Sequence, residues 1–444
     1  MTRVQAQPTL ESIVDDSMGA LARSDGYSIR YIVQRLFANA IAGSNSEFTQ
    51  AFISGNSVGG STVLGMRSKA GSPAQAAGAN AAAIVVSQCD EGLREARGHP
   101  GLHAFSAALA VVESMDGTVN DLFEATAVGW EIGARIGLHL GPTVSGVHPH
   151  GGWGVAAAAA AAAAAMGAEE SIITRAVANA LTLGLVGPDG STFAGQSSHY
   201  LLPAIGTSNG VIAAELTLAG VQPPNDSLAH FAAVAHSHPS GDSPLSNEAG
   251  SLMDFAYFKP VGLCAHALTS WEAALNLAPL VKLDDVSTVT VRTYFAASRL
   301  LNQVPTNLLA RQFSIPWAVA SGLATEHPLN AGNEYVARLA KVVRVDHDPA
   351  LDALYPASRP AFVSVNLKNG KSIDGFAEFH RGDRERPLDE ESHGNVNMQL
   401  LGLAVDQTNA RKAYAVLADR SFKLRKLLDC SKPRTQPTFE GVSL

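Results

Sequence analysis

Apolar residues recur at three- and four-residue spacing over Leu10 to Leu21 and over Tyr27 to Ile41, the mark of helices with one buried face. Ala76 to Val86 and Ala104 to Val112 are apolar on most sides, as helices are when neighbours surround them. Val119 to Leu138 and Ser171 to Leu185 continue the helical pattern, and Gly210 to Gly220 is expected to add a short helix. Ten consecutive alanines, Ala156 to Ala165, stand inside the apolar run Val155 to Met166. Alanine is the best helix former, so the run predicts a central buried helix whose small side chains let neighbours come close. It is too short to cross a bilayer, which needs roughly 20 residues. Gly59-Gly60, His99-Pro100-Gly101, Gly141-Pro142, Gly187-Pro188 and Pro223-Pro224 punctuate the helical part.

The pattern changes after Lys259. Val286 to Tyr294 alternates with period two and is β-branched, which predicts a strand. Val342 to Val345 is a second. Ala361 to Leu367 and Ser372 to Phe379 flank Lys368-Asn369-Gly370-Lys371 and predict a hairpin on an Asn-Gly turn. Helices are expected at His266 to Leu277, at Trp317 to Thr325 and again from Val396 to Leu428. The chain therefore reads as mainly α. A large all-helical domain (1–258) precedes a smaller α+β lid domain (259–395), and C-terminal helices (396–444) return to the helical domain.

Composition narrows the class. Apolar residues make up 46% and charged residues 16% of the 444, where about a quarter charged is usual. Much of the chain must be buried, in its own core or against another subunit, so a homo-oligomer is expected. The net charge of -8 and the scattered Lys and Arg speak against nucleic acid as a partner. Cys89, Cys264 and Cys430 form no CxxC pair, and their odd number argues against a disulfide framework. The first residues lack an apolar signal core, so a cytoplasmic location is expected, with no membrane partner.

Several formal motifs lack their context. Gly152-Trp-Gly154-Val-Ala-Ala157 fits a loose dinucleotide pattern, but no strand precedes it. Gly370-Lys371-Ser372 resembles the end of a P-loop, with Val365 where the first glycine belongs. Gly55-Asn-Ser57-Val-Gly59 and Gly206-Thr-Ser208-Asn-Gly210 fit a nucleophile elbow but are expected to be plain turns. His236-Ser-His238 lacks a third metal ligand and is expected in a solvated loop, and His148-Pro-His150 is too stiff a pair for a metal.

Five turns carry ionisable residues between apolar elements. Cys89 to Gly101 holds Asp90, Glu91, Glu95, Arg94, Arg97 and His99; its plain reading is a solvated loop. Gly146 to Gly154 brings His148 and His150 to the start of the alanine helix, where they are either a capping turn or a neutral base favoured by the helix end. Gln196-Ser-Ser-His199-Tyr200 reads as an exposed turn or a site. Lys259, in Phe258-Lys259-Pro260-Val-Gly-Leu-Cys264-Ala-His266, stands where the character of the chain changes, and clefts usually lie at such places. Phe379-His380-Arg381-Gly382-Asp383-Arg384 reads as a surface turn.

These segments, in this order, resemble the MmgE/PrpD family, which includes 2-methylcitrate dehydratase, cis-aconitate decarboxylase and iminodisuccinate epimerase. The matching stretches are Gly59 to Gly65, then Gly78-Ala79-Asn80 with Asp90-Glu91 and His99-Pro100-Gly101. Gly146-Val-His148-Pro149 before the alanine helix follows, then Asn209-Gly210, Lys259-Pro260 with Cys264 and His266, and His380-Arg-Gly-Asp383 with Pro387-Leu388. The resemblance implies a helical domain with an α+β lid, a site between them, a homodimer, and no metal or organic cofactor. It implies a site holding Asp90, His99, His148, His199, Lys259 and His266. Arg94 and Tyr200 join His266 as candidates for binding the substrate. Family members often read Asp-x-Asp-Asp-Thr where this chain has Gln88-Cys89-Asp90-Glu91-Gly92, and tend to carry a lysine at His199.

The substrates so implied are small di- or tricarboxylates. Removing a proton next to a carboxylate needs a base within hydrogen-bond reach and donors or cations where charge develops. His148 is the first candidate for the base and His99 the second, with Asp90 orienting one of them. Lys259 and a protonated histidine supply positive charge. With His199 in place of a lysine, the expectation leans to an epimerase or isomerase. The alternatives are a 2-methylcitrate-type dehydratase, a cis-aconitate-type decarboxylase, or a non-catalytic member that binds a small acid.

Overall fold

The computed structural model describes residues 8–54, 60–236, 245, 248–330 and 333–433. Among the described residues, 58% are helical and 10% in strand, mainly α with a smaller α+β portion. The chain divides into two compact units. Among the described residues, the first holds 8–188, 200–256 and 391–433, and the second holds 189–199 and 257–390.

The first unit is built from α1 (Leu10–Arg23), α2 (Tyr27–Gly43), α3 (Glu47–Ser54), α4 (Pro73–Ser87), α5 (Pro100–Ser114), α6 (Val119–Leu140), α7 (Gly154–Ala165) and α8 (Glu170–Thr182). After a four-residue helix of the second unit, α9 (Gly190–Phe193), it resumes with α10 (Leu201–Leu218) and α11 (Ser227–Ala235). The helix starts follow local chemistry. Thr9 caps α1, Ser72 caps α4 ahead of Pro73, and Thr118 with Asp121 closes a capping box on α6. The alanine run is α7, buried from Gly154 to Ala163. Neighbouring helices meet it through glycines: a Cβ on Gly133 of α6 or Gly210 of α10 would lie 2.5 Å from Ala157 Cβ or Ala158 Cβ. Such contacts place backbones closer than larger side chains allow.

Three expectations are corrected here. The helix expected at Gly210 begins nine residues earlier, at Leu201, so Gly206-Thr-Ser208-Asn-Gly210 lies inside a helix and is neither elbow nor turn. Proline at 203 falls in the first turn, where its missing N–H costs no hydrogen bond. The helical part also contains short extended pieces: β1 (Ser61–Thr62) pairs antiparallel with β2 (Lys69–Ala70), and β3 covers Glu91–Gly92. Finally, His236 is buried with its Nδ1 3.1 Å from the Gly141 carbonyl, not solvated; His238 lies outside the described residues, as does Gly55-Asn-Ser57-Val-Gly59.

The second unit carries β4 (Tyr257–Phe258), α12 (Ala265–Leu277), β5 (Val286–Thr293), α13 (Phe295–Ser298), α14 (Leu308–Gln312), α15 (Ile315–Leu323), α16 (Glu334–Ala340), β6 (Val343–His347), β7 (Ala361–Leu367) and β8 (Ser372–Ala377). Its sheet has the order β6-β5-β7-β8. β5 runs parallel to β6, pairing Val291 with Val345, and antiparallel to β7, pairing Val291 with Val363. The parallel pair needs a long crossover, which α13 to α16 provide. The β7–β8 hairpin turns at Gly370, whose φ of 81° belongs to the left-handed region. Ala361, Val363 and Val365 point inward, and α12 covers β8 so closely that a Cβ on Gly375 would lie 2.9 Å from Leu277. The C-terminal α17 (Glu390–Gly402), α18 (Gln407–Ala418) and α19 (Leu424–Cys430) belong, from residue 391 onward, to the first unit.

Candidate active site

The turn from Cys89 to Gly98 in the first unit is not a solvated loop: Asp90, Glu91, Arg94 and Glu95 are all buried. It closes on itself through Leu93 and Gly98, which exchange backbone hydrogen bonds of 3.0 and 3.4 Å. From α2, the buried Arg35 holds its entry by donating Nη1–H to the Cys89 carbonyl at 3.2 Å, and Asn39 donates to the same carbonyl at 3.0 Å. The Arg35 Nε donates to Asn397 of α17 at 2.6 Å. Burial pushes the Arg35 guanidinium below its ordinary range, while Cys89, Tyr414 and Asp90 pull it back. A buried charge of this kind persists only when it is paired and hydrogen-bonded.

Glu91 carries the next step. Its Oε1 accepts from Gly101 N at 2.9 Å and its Oε2 accepts from Trp130 Nε1 at 3.1 Å. The carboxylate thereby satisfies an open N–H in the first turn of α5, where negative charge is favoured. Position 101 must be glycine, because a Cβ there would lie 2.2 Å from Glu91 Oε1. His99 is the N-cap residue of α5. Its Nδ1 lies 2.6 Å from the Glu91 carbonyl and 3.0 Å from Asp90 Oδ2. Both are acceptors, so Nδ1 carries the proton, and in the neutral ring the lone pair sits on Nε2.

The second histidine turn is set differently. Val147 bridges to Pro188, and His148 N donates to the Gly187 carbonyl at 2.9 Å. Gly151, with φ 79°, sits where a Cβ would meet the Leu202 carbonyl at 2.4 Å. Helix α8 ends at Thr182, short of the expected Leu185, because residues 185–188 leave it to pin this turn, Leu185 N donating to Gly151 O at 2.9 Å. Neither histidine caps α7, whose N-cap residue is Trp153 with no side-chain bond. His148 Nδ1 accepts from His150 N at 3.1 Å. That nitrogen holds no proton, so a neutral His148 presents N–H at Nε2, opposite to His99.

The buried His150 ring stands between them, 5.4 Å from His99 and 4.8 Å from His148 by ring centroids. His103, one helical turn beyond His99, closes the group 6.1 Å from His150, with Nδ1 2.7 Å from Thr207 Oγ1. Burial, with a smaller contribution from His99, lowers the His103 pKa from 6.5 to about 3, so this ring stays neutral. Tyr200 packs against Phe48 at 5.5 Å, and burial drives its phenol well above the ordinary range. Arg94 is buried within the Cys89–Gly98 turn.

In the second unit, His199 and Lys259 are both buried, so the His199 segment is not an exposed turn. His199 Nδ1 lies 2.8 Å from Thr192 Oγ1, and its ring meets Phe313 edge-on at 5.5 Å. Lys259 follows β4, where Phe258 N donates to Gly382 O at 2.8 Å. Gly382 has φ 109°, and a Cβ there would strike the Phe258 carbonyl at 1.9 Å. The His380–Asp383 turn is therefore a buried brace for the Lys259 strand, not a surface turn: His380 N donates to Asp383 Oδ2 at 2.9 Å, and both side chains are buried. His266 on α12 reaches Tyr294 Oη at 2.5 Å beside the stacked Tyr294 and Tyr355 rings.

Sequence reasoning passed over Glu91, Arg35 and His103 as members of this arrangement. His103 left a usable signal, since a histidine four residues after His99 shares its helix face.

No curated protein matches the chain. The models of the MmgE/PrpD N-terminal domain and the MmgE/PrpD C-terminal domain match residues 29–243 and 262–415. The chain therefore belongs to the MmgE/PrpD family, whose members are in general enzymes of dehydratase, lyase or isomerase type.

Proposed function

We propose that this protein removes a proton next to a carboxylate of a small di- or tricarboxylate and returns one to the resulting carbanion, acting as an epimerase or isomerase. His99 is the base and His148 the proton donor. The observation that carries this reading is the opposed tautomers of the two rings. Asp90 and the Glu91 carbonyl keep the proton on His99 Nδ1, leaving Nε2 to accept. The His150 N–H keeps it off His148 Nδ1, leaving Nε2–H to donate, with Nε2 taking a proton back from solvent and the His99 imidazolium releasing the abstracted one, so that both rings end the cycle neutral. One acceptor and one donor in a single group of rings is what reprotonation from a second face requires. This reverses the order expected from sequence, in which His148 came first as base.

The reading assigns Lys259 the fixed positive charge that meets the aci-carboxylate, a task for which a buried ammonium is suited. Arg94, Tyr200, His199 and His266 are its candidates for holding the substrate's other groups. Incubating citrate, aconitate, 2-methylcitrate and substituted succinates with the protein in deuterated water, followed by proton NMR, tests it. Deuterium at the α-carbon with inversion supports the reading. Loss of water or carbon dioxide would replace it with a dehydratase or decarboxylase, and absence of any turnover with measurable binding would leave a small-acid-binding protein.

A further inference from the structure

Arg359, just ahead of β7 in the second unit, is a buried cation with open donors. It is 3% exposed, and its backbone is fixed on both sides. Arg359 N donates to the Glu378 carbonyl at 3.3 Å, Thr269 Oγ1 donates to the Arg359 carbonyl at 2.5 Å, and Thr293 Oγ1 donates to the Pro360 carbonyl at 2.8 Å. The guanidinium lies over the Tyr257 ring, 4.7 Å from its centroid. Its Nε and Nη1 have no hydrogen-bond partner among the described residues. Leaving a buried guanidinium in that condition is costly, and such charges are ordinarily paired.

The neighbouring groups do not supply the missing acceptor. Burial opposes the Arg359 charge, while Tyr257, Tyr294, Tyr355 and Asp383 favour it, and its pKa stands above the ordinary value. Burial also holds the Tyr294 phenol well above its ordinary range, so that ring stays uncharged. Asp383 is turned to its own loop: Oδ2 accepts from His380 N at 2.9 Å, and Oδ1 faces His380 Nε2 at 3.5 Å.

The groups around Arg359 suit a small anion. Tyr294 and Tyr355 stack at 4.8 Å, and the half-buried His266 stands 5.8 Å from the half-buried Tyr355. Tyr257 precedes the buried Lys259 by two residues, about 7 Å of extended chain. Two buried cations at that spacing match the two ends of a short dicarboxylate, and the planar fork of a guanidinium takes a carboxylate through two parallel hydrogen bonds. We propose that Arg359 receives the second carboxylate of the substrate and thereby selects di- and tricarboxylates over monocarboxylates. This assignment rests on the carbanion reading above and adds to it the residue that sets the substrate class.

Calorimetric titration of the full chain with malonate, succinate and glutarate, each beside its monocarboxylate analogue (propionate, butyrate, valerate), tests it. The wild type is expected to bind its best dicarboxylate about 10-fold or more tighter than the analogue, as one or two charged hydrogen bonds provide. Arg359→Gln is expected to remove most of that preference and leave the monocarboxylate affinity unchanged. Arg359→Lys keeps the charge but not the fork, and is expected to restore part of the preference. A residue that only braced Tyr257 would weaken both ligands alike, so the monocarboxylate also reports that the variant is folded. No dicarboxylate preference in the wild type, an equal loss of both ligands in Arg359→Gln, or a preference unchanged by it would overturn the proposal. So would inorganic phosphate bound as tightly as the best dicarboxylate, which would make this a general anion site. The titrations need no turnover. A preference that depends on Arg359, without α-proton exchange in any acid, would retire the carbanion reading and keep this one, and exchange without the preference would do the reverse.

Discussion

Asp90 Oδ2 lies 3.0 Å from His99 Nδ1, the same nitrogen that reaches the Glu91 carbonyl at 2.6 Å. Two acceptors converge on one ring nitrogen, so the tautomer of His99 is fixed by its neighbours before any substrate arrives. Asp90→Asn offers an amide whose N–H₂ competes for the same position, and the ring is then free to turn or change tautomer. The expected result is a fall in kcat of about 100-fold or more with a small change in KM, the range that general acid–base groups contribute. An unchanged kcat would remove Asp90 from the mechanism.

His103 makes the acid limb of stability steep. Its pKa is about 3 in the folded protein and 6.5 when solvated. Below pH 6.5 the unfolded chain takes up a proton that the folded chain refuses. The stability it contributes is therefore complete above pH 6.5 and declines as pH falls towards 3. The slope from this one group is about 1.4 kcal/mol per pH unit in that window. Urea unfolding at pH 7, 5 and 4 should show a shallower decline for His103→Leu than for the wild type. Equal slopes would show that the ring protonates without cost.

Glu91→Gln tests the support of α5. The glutamine amide can accept from Gly101 N or Trp130 Nε1 but not from both, so one buried N–H faces another donor. A loss of about 1–3 kcal/mol in urea unfolding is expected. A variant as stable as the wild type would show that water or a shift of the helix start replaces the bond.

Gly382→Ala and Lys259→Met separate scaffold from charge in the second unit. The alanine Cβ would strike the Phe258 carbonyl in a backbone conformation that favours glycine. That variant is expected to lose both stability and activity. Lys259→Met keeps the length of the side chain and removes the charge, so activity is expected to fall at least 100-fold with thermal stability unchanged or raised. Retained activity in Lys259→Met would contradict its assignment.

Much of the fold was legible because burial writes itself into periodicity. The apolar spacing marks helices α1, α2 and α4 to α7 to within a few residues, and Asn369-Gly370 marks the hairpin and its turn. Pro203, Gly206 and Gly210 look like breakers in sequence and hide the first half of α10, which runs from Leu201 to Leu218. Proline sits harmlessly in the first turn, and the glycines are the points where α10 meets Gly151 and α7. For the site, residue types in turns were visible, but burial was not. Asp90, Glu91, His199, His380 and Asp383 all read as solvated or exposed at face value and are all buried. The roles of His99 and His148 were beyond reach, since a tautomer is set by partners such as the His150 N–H that only the folded chain supplies.

The division of labour between those two rings is the centre of the account, and α-proton exchange in deuterated water measures it most directly. With a substrate that the wild type both exchanges and inverts, His148→Ala should still exchange deuterium at the α-carbon but no longer invert it. His99→Asn should do neither. Exchange retained in His99→Asn and lost in His148→Ala would contradict the assignment and make His148 the base.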